Sequence, residues 1–155
     1  MESYSRYGPA LLRKAERMLR NRADAQDVVH ALFLELLQQT TPRSDLPYLY
    51  RAVTNRCLNM LRDQSARARL LEHGVSPLEP MRTSCEARAI DLDLLTRLIA
   101  LLDPATAEVL VYRYLDDMSQ EEIAELLGLS RKTVGHKLAR IREAMLSLSE
   151  PGGAP

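Results

Sequence analysis

The sequence predicts an all-α fold, built from two small helical domains that are joined by a flexible linker. Apolar residues recur at three- and four-residue steps through most of the chain, which is the spacing of amphipathic helices. Runs that alternate with period two, typical of strands, are nearly absent. Between His73 and Cys85 the chain is rich in glycine, proline and serine and keeps no sustained period, which indicates a linker. We therefore expect domains at 1–70 and 86–150, a linker at 71–85 and a disordered tail at 151–155.

Periodicity and local end signals predict seven helices. Asp24 is expected to cap the second helix, and prolines at 42 and 47 bracket the loop before the third. Asp103 followed by Pro104 is typical of an N-cap with proline at the first helical position. The predicted helices span 8–20, 24–39, 46–69, 86–102, 104–115, 119–127 and 130–147.

The last two helices carry the strongest end signals in the chain. Ser119 and Glu122, three residues apart, form a capping box, in which each side chain accepts a hydrogen bond from the backbone N–H of the other residue. Gly128 can adopt the left-handed conformation that ends a helix. Ser130 is then a good N-cap for the next helix. These signals predict a helix, a short turn and a second helix.

The charge changes sign between these two helices, although the whole chain is neutral with 21 basic and 21 acidic residues. The first helix carries only acids, Glu121, Glu122 and Glu125. The second carries only bases up to residue 142, namely Arg131, Lys132, Lys137, Arg140 and Arg142. Such a pair is typical of helix-turn-helix units that bind DNA. The alternative is a helical hairpin whose basic face is merely solvated.

The second and third predicted helices form the centre of the N-terminal domain. Residues 24–38 have a wide apolar surface, which fits a central buried helix somewhat better than a helix that docks a partner. We expect Val28, Leu32, Phe33, Leu36 and Leu37 to face a core, and Val29 and Leu34 to lie on other faces. The helix over 48–69 has a polar surface that could hold phosphates and pair with base edges, or be an ordinary solvated face: Arg51, Asn55, Arg56, Asn59, Arg62, Arg67 and Arg69.

Several classes of protein are disfavoured by what the sequence lacks. Cys57 and Cys85 show no metal-ligand spacing, so zinc and a disulfide framework are not expected, and Cys57 is most simply a small buried group. No nucleophile–base pair, phosphate loop or metal set is visible, so no catalytic residue, cofactor or metal is predicted. No long apolar run or signal peptide is present, which favours a cytoplasmic protein.

Both halves together resemble a known family. The segments DAQDVVHALFLELLQ, LPYLYRAVTNRCLNMLR and LLDPATAEVLVYRYLDDMSQEEIAELLGLSRKTVGHKLARIREAM are similar to the extracytoplasmic-function (ECF) group of bacterial RNA polymerase sigma factors. The resemblance covers the chain from about Tyr7 to Met145. It implies the layout of regions 2 and 4 without region 3, with domain 1–70 as region 2 and domain 86–150 as region 4.

The resemblance also implies roles for particular residues. Core polymerase, through the clamp helices of its β′ subunit, would dock on Gln26, Asp27 and Leu34. The −10 promoter element would be bound by Arg51, Asn55, Arg56, Asn59 and Arg62, with Asn55 at a position that contacts a flipped-out base and the loop Thr40–Asp45 helping to form its pocket. The −35 element would be bound by Arg131, Lys132, His136, Lys137, Arg140 and Arg142. Many members of the family are also held inactive by an anti-sigma factor.

Several positions depart from the family pattern. His30 and Ala31 stand where Gln-Glu is usual, and Glu35 and Leu37 replace a frequent base and a frequent tryptophan. Gly135 stands where a base often contacts DNA, although a glycine there permits closer approach to the backbone. These departures motivate one alternative, a sigma mimic that titrates an anti-sigma factor. A separate alternative is a two-domain helix-turn-helix regulator that acts on duplex DNA without polymerase.

Overall fold

The computed structural model describes residues 2–40, 45–71 and 92–149, and within these ranges it contains helices and no strand. The predicted all-α fold is confirmed. The predicted linker and tail, and most of the loop before the third helix, lie outside the described residues. The elements are α1 Glu2–Leu19, α2 Arg22–Leu37, α3 Leu46–Leu71, α4 Leu92–Leu101, α5 Pro104–Leu110, a π-helical turn Val111–Leu115, α6 Gln120–Leu127 and α7 Arg131–Ser149.

The chain divides into two compact units, Met1–Met60 and Leu61–Pro155. The first unit contains α1, α2 and the N-terminal part of α3. The second contains α4 to α7, and α3 runs across the division between them.

In the first unit α1 packs against α2, and apolar side chains of α1, α2 and α3 are buried. Lys14 is also buried, with its Nζ 4.3 Å from the centroid of the Tyr50 ring, so an aromatic face compensates part of its desolvation. Burial raises the pKa of Cys57 to about 12, against an opposing effect of the Lys14 charge, so Cys57 remains a neutral thiol and its predicted role as a small buried group is confirmed. The buried apolar residues include Leu11, Ala15, Met18, Val28, Val29, Leu32, Leu49, Val53 and Leu58.

The first helix begins at Glu2, earlier than the predicted residue 8, and Pro9 lies inside it. A proline cannot donate to the carbonyl four residues before it, so this position weakens the helix. Contacts with α2 anchor the additional turns: the Tyr4 ring meets Phe33 edge-on at 5.1 Å between centroids, and its hydroxyl lies 3.1 Å from His30 Nε2. Tertiary contact therefore extends the helix beyond the bounds that its sequence predicts.

The predicted N-cap of α2 is wrong. Asn21, and not Asp24, caps the helix: the Asp24 N–H donates to Asn21 Oδ1 at 3.0 Å. Asn21 has the extended backbone of an N-cap, whereas Asp24 lies in the first turn, where a carboxylate also favours a helix N-terminus. Both residues suit their positions, and the sequence alone does not distinguish which of the two is the cap.

In the second unit α7 packs against α4, α5 and α6. Asp103 caps α5 as predicted, with Pro104 in its first turn. Its carboxylate accepts from the Thr106 N–H at 3.2 Å and from the Thr106 hydroxyl at 2.7 Å. The buried apolar residues of this unit include Leu95, Leu98, Ile99, Val109, Leu110, Ile123, Val134, Leu138 and Ile141.

The predicted helix over 104–115 does not continue as a regular α-helix. After Leu110 it widens into the π-helical turn, and the Asp116 N–H donates to the Val111 carbonyl at 3.1 Å. Tyr112 is fully buried and its hydroxyl donates to Glu108 Oε2 at 2.6 Å, so two buried polar groups satisfy each other. A single widened turn leaves the apolar spacing on either side intact, which is why periodicity does not reveal it.

We expect Asp103→Asn to make the stability of the protein less dependent on acid pH. The hydrogen bond from the Thr106 hydroxyl, opposed by desolvation, holds the pKa of Asp103 below its usual 3.8. A lowered folded-state pKa contributes stability above the unfolded pKa, and that stability is lost as pH falls through the folded pKa. Asparagine is an equally good N-cap but does not titrate.

Urea unfolding between about pH 3 and pH 7 measures this effect. The difference in free energy of unfolding between wild type and Asp103→Asn should shrink towards low pH. Asp93→Asn is the control, because Asp93 forms an exposed ion pair with Arg97 and such pairs contribute little. A difference at residue 103 that does not change with pH would contradict the role assigned to its carboxylate.

Candidate nucleic-acid interfaces

The turn between α6 and α7 has the geometry that the sequence predicts. The Glu122 N–H donates to Ser119 Oγ at 3.1 Å, and the Ser119 N–H donates to Glu122 Oε1 at 2.9 Å, which completes the capping box. The bond from the Ser119 N–H lowers the pKa of Glu122, so the box is intact at neutral pH. Gly128 ends α6 with φ 67°, in the left-handed region. Ser130 then accepts from the Thr133 N–H at 3.1 Å and caps α7.

A basic strip lies on the outer side of α7. Lys132, His136 and Arg140 follow one another at four-residue steps and are all exposed. The opposite side of the helix, with Val134 and Ile141, is buried. Since residues four apart lie on the same face of a helix, the three form one continuous surface that faces away from the core of the unit. We call these three residues the α7 strip.

The other predicted bases lie beside the strip. Arg131 is paired with Glu121 of α6, and its Nη2 lies 2.9 Å from Glu121 Oε1. Lys137 is half-buried, and its charge is among the causes that lower the pKa of Asp103. Arg142 is exposed. The predicted −35 set is therefore divided between outward bases and bases that lie close to acids of the same unit.

Gly135 leaves a space that a side chain of α6 occupies. A Cβ built on Gly135 would lie 2.9 Å from Gln120 Nε2, closer than real contacts allow. The Gln120 amide in turn donates to the Arg131 carbonyl at 3.1 Å. The close approach that a glycine permits is made here by Gln120. Sequence analysis missed the role of Gln120. The one signal for it was Gly135 in a helix interior, where glycine destabilises the helix by about 0.8–1 kcal/mol relative to alanine.

The polar face of α3 carries Arg51, Asn55 and Asn59 at four-residue steps, the first two half-buried and the third exposed. Arg56 lies beside them and is ion-paired with Glu35 of α2. Glu35 stands where a basic residue is frequent in the resembled family, and in this chain it has Arg56 as its partner within the first unit. The polar residues of this segment therefore lie on one helix, and Arg56 among them is engaged by an acidic side chain of α2.

Arg62, further along α3, is half-buried. Among the side chains that the structure describes, its Nη2 is the buried polar atom without a hydrogen-bond partner. A buried guanidinium nitrogen without a hydrogen-bond partner reduces the stability of the folded state. The side chain of Arg69 lies outside the described set, and Arg67 is exposed.

The outer side of α2 combines apolar and polar side chains. Leu34 is 61% and Leu37 60% exposed. The expectation that Leu37 faces the core is therefore wrong, and Val29, which was expected elsewhere, is 2% exposed. Asp27 is exposed and Gln26 half-buried. Spacing alone could not assign these faces, because seven large apolar residues lie between positions 28 and 37, more than one face of a helix holds.

Comparison with known proteins identifies the family. Region 2 of sigma-70 matches residues 3–67, and region 4 of sigma-70 matches residues 92–145. RNA polymerase sigma-E factor of Streptomyces coelicolor is 32% identical over 145 residues, which cover 89% of this chain and 81% of the relative. The chain belongs to the sigma-70 family, in its ECF group.

Two further sigma factors are similar to the chain over most of its length. The sigma-E factor of Streptomyces avermitilis is 32% identical to this sigma factor over 89% of the chain and 80% of the relative. RNA polymerase sigma factor CnrH of Cupriavidus metallidurans is 28% identical, over 93% of the chain and 83% of the relative. In the solved complex of sigma factor RpoE with the anti-sigma factor NepR from Bartonella quintana, the matching chain is 18% identical, with a TM-score of 0.49 and coverage of 95% of this chain and 94% of that one.

The general activity of this sigma factor follows from its family membership. It directs RNA polymerase to promoters at the initiation of transcription. Both of its matched regions fall on described helices, region 2 on α1 to α3 and region 4 on α4 to α7. None of the helices in the part of the chain that the structure describes is both long and apolar enough to span a bilayer.

We expect Glu121→Gln to strengthen the binding of this sigma factor to DNA of any sequence, because it releases Arg131 for a phosphate. The exposed pair contributes little stability, so the fold should be unaffected. Each additional phosphate contact steepens the dependence of log affinity on log salt by about 0.9. Fluorescence anisotropy of a labelled duplex of arbitrary sequence, titrated at several salt concentrations, measures both quantities.

Glu125→Gln is the matched control, because Glu125 is an exposed acid of the same helix and its removal changes the net charge equally. Only Glu121→Gln should steepen the salt dependence. Equal slopes for the two variants would show that the charge change, and not the release of Arg131, governs binding.

Proposed function

We propose that this sigma factor binds core RNA polymerase through α2, opens and reads the −10 element with α3, and reads the −35 duplex with α7. The observation that carries the proposal is the α7 strip, which a capped helix-turn-helix holds outward in the same chain as a sigma region 2. The proposed domains are region 2 at 1–70, a linker at 71–85, region 4 at 86–150 and a tail at 151–155. The proposed site of action is the cytoplasm, and no enzymatic step is assigned to the protein itself.

The proposed surface for core polymerase consists of Gln26, Asp27 and Leu34. Leu34 supports it, since a leucine that is 61% exposed loses apolar area to water unless a partner covers it. Leu37, which sequence analysis left out of this surface, lies three residues on and is similarly exposed. Leu37 therefore joins the proposed surface.

The proposed −10 surface consists of Arg51, Asn55, Arg56, Asn59 and Arg62. Asn55 is proposed to read an unstacked base, because base edges become fully readable only outside the stack. Arg56 would exchange Glu35 for a phosphate, since an exposed ion pair opens at little cost. Among the described side chains, the buried Nη2 of Arg62 lacks a hydrogen-bond partner, and the guanidinium would have to turn outward for a phosphate oxygen to satisfy it.

The proposed −35 surface is divided by role. His136, Lys137 and Arg140 are proposed to face the major groove, where an arginine can pair with guanine in a bidentate manner. Arg131, Lys132 and Arg142 are proposed to hold phosphates, which fix register but carry no sequence information. An anti-sigma factor is the proposed regulatory partner, as in many members of the group.

The decisive experiment reconstitutes core polymerase with the purified protein and measures binding and promoter-specific initiation. Leu34→Glu should weaken binding to core by about tenfold or more, because it places a charge in an apolar contact. Leu101→Glu is the control, since Leu101 is an exposed leucine of the second unit, 55% accessible. A protein that ignores core but binds an anti-sigma factor would instead be a sigma mimic, and tight operator binding without polymerase would indicate a regulator.

We expect Asn55→Ala to preserve binding to core but to reduce open-complex formation by about tenfold, the cost of one lost base contact. Permanganate reactivity of the −10 thymines measures opening. A scan of single abasic sites along the non-template strand supplies the control. At the base that Asn55 reads, removal of the base should reduce the wild type to the level of the variant. If no abasic position abolishes the difference between the two proteins, Asn55 does not capture a base.

A further inference from the structure

Gln120 and Gly135 form a contact that joins the two helices of the DNA-reading unit. We infer that Gln120 is a positioning residue for −35 recognition, whose amide occupies the space above Gly135 and sets how α7 lies on α6. The inference rests on the proposed reading of the −35 duplex by α7. It concerns a residue outside the recognition helix and outside the basic set.

The backbone of Gln120 is already fixed by its surroundings. It is the first residue of α6 and follows the N-cap Ser119 of the completed capping box. Its Nε2 donates to the Arg131 carbonyl, 3.1 Å away, in the first turn of α7. The bond therefore connects the beginning of one helix to the backbone at the beginning of the other, and it is insensitive to side-chain rotamers on α7.

Gly135 is required by this contact and not by its own backbone conformation. The described glycine with positive φ is Gly128, whereas Gly135 lies within the regular helix α7. The Arg131 carbonyl is the intrahelical acceptor for the Gly135 N–H, so a side chain at 135 would stand beside the bond that Gln120 makes. A Cβ there would lie 2.9 Å from Gln120 Nε2. Hence a side chain at 135 and Gln120 in this position exclude each other.

The neighbouring residue of α6 holds the same residue of α7. Glu121 pairs with the Arg131 guanidinium at 2.9 Å, while Gln120 binds the Arg131 carbonyl. Two successive residues of α6 thus hold the side chain and the backbone of Arg131, at the end of α7 that would enter the groove first. A change in the contact between Gln120 and Gly135 should alter the placement of the α7 strip without removing any of its bases.

The test is a double-mutant cycle in the full chain assembled with core polymerase, using Gln120→Ala, Gly135→Ala and the double variant. The probes are a promoter duplex selected with the wild-type holoenzyme and the same duplex with single-base changes in its −35 element. Either single variant should lower discrimination between these duplexes by about three- to tenfold, the effect of one net hydrogen bond. The double variant should lose no more than one single variant, since both changes break the same contact.

Thermal stability and binding to a duplex of arbitrary sequence provide the readouts that a merely structural defect would move. Both should remain near the wild-type values for Gly135→Ala, because the displaced group is the free end of a flexible side chain and alanine favours the helix. Wild-type discrimination in Gly135→Ala, or additive losses in the cycle, would overturn the inference. A wild-type holoenzyme without any −35 preference would overturn the proposed function, and this inference with it.

Discussion

The left-handed turn at Gly128 is the constraint on which the DNA-reading half of this sigma factor depends. It ends α6 at φ 67°, a conformation that residues with a Cβ adopt only at a cost. Two further local bonds complete it, since the Leu129 N–H donates to the Ala124 carbonyl at 3.0 Å and Ser130 caps the next helix. These local bonds restrict the direction in which α7 leaves the turn. Burial of Val134 then selects which side of α7 remains exposed.

Acidic residues lie beside the basic surfaces and hold two of the arginines that are proposed to contact DNA. Arg131 is held by Glu121 and Arg56 by Glu35, and in both pairs the side chains remain partly exposed. Such pairs contribute about 0–1 kcal/mol, so a phosphate can replace the carboxylate at small cost. The acids keep these arginines in defined positions in the free protein and reduce the local positive charge. The net charge of the chain therefore does not describe the charge that each helix surface presents.

The helix ends in the second unit were predictable because their chemistry is local. A capping box, a C-terminal glycine and an aspartate before a proline each act within four residues, and the structure confirms all three. Two of the misassigned features involve the rest of the fold. Tyr4 anchors the start of α1 on α2, and the π-helical turn surrounds the buried Tyr112. Neither contact has a signature in the neighbouring sequence.

The sequence by itself determined the all-α class, most helix bounds and the segregation of acids from bases between α6 and α7, because these depend on spacing and on near neighbours. Only the tertiary structure decided which apolar residues of α2 stay exposed, so Leu37 lies outside and Val29 inside. It also decided which acids hold Arg56 and Arg131, and that Gln120 fills the space at Gly135. These are distances between residues on different helices. They depend on how helices pack, which no local pattern encodes.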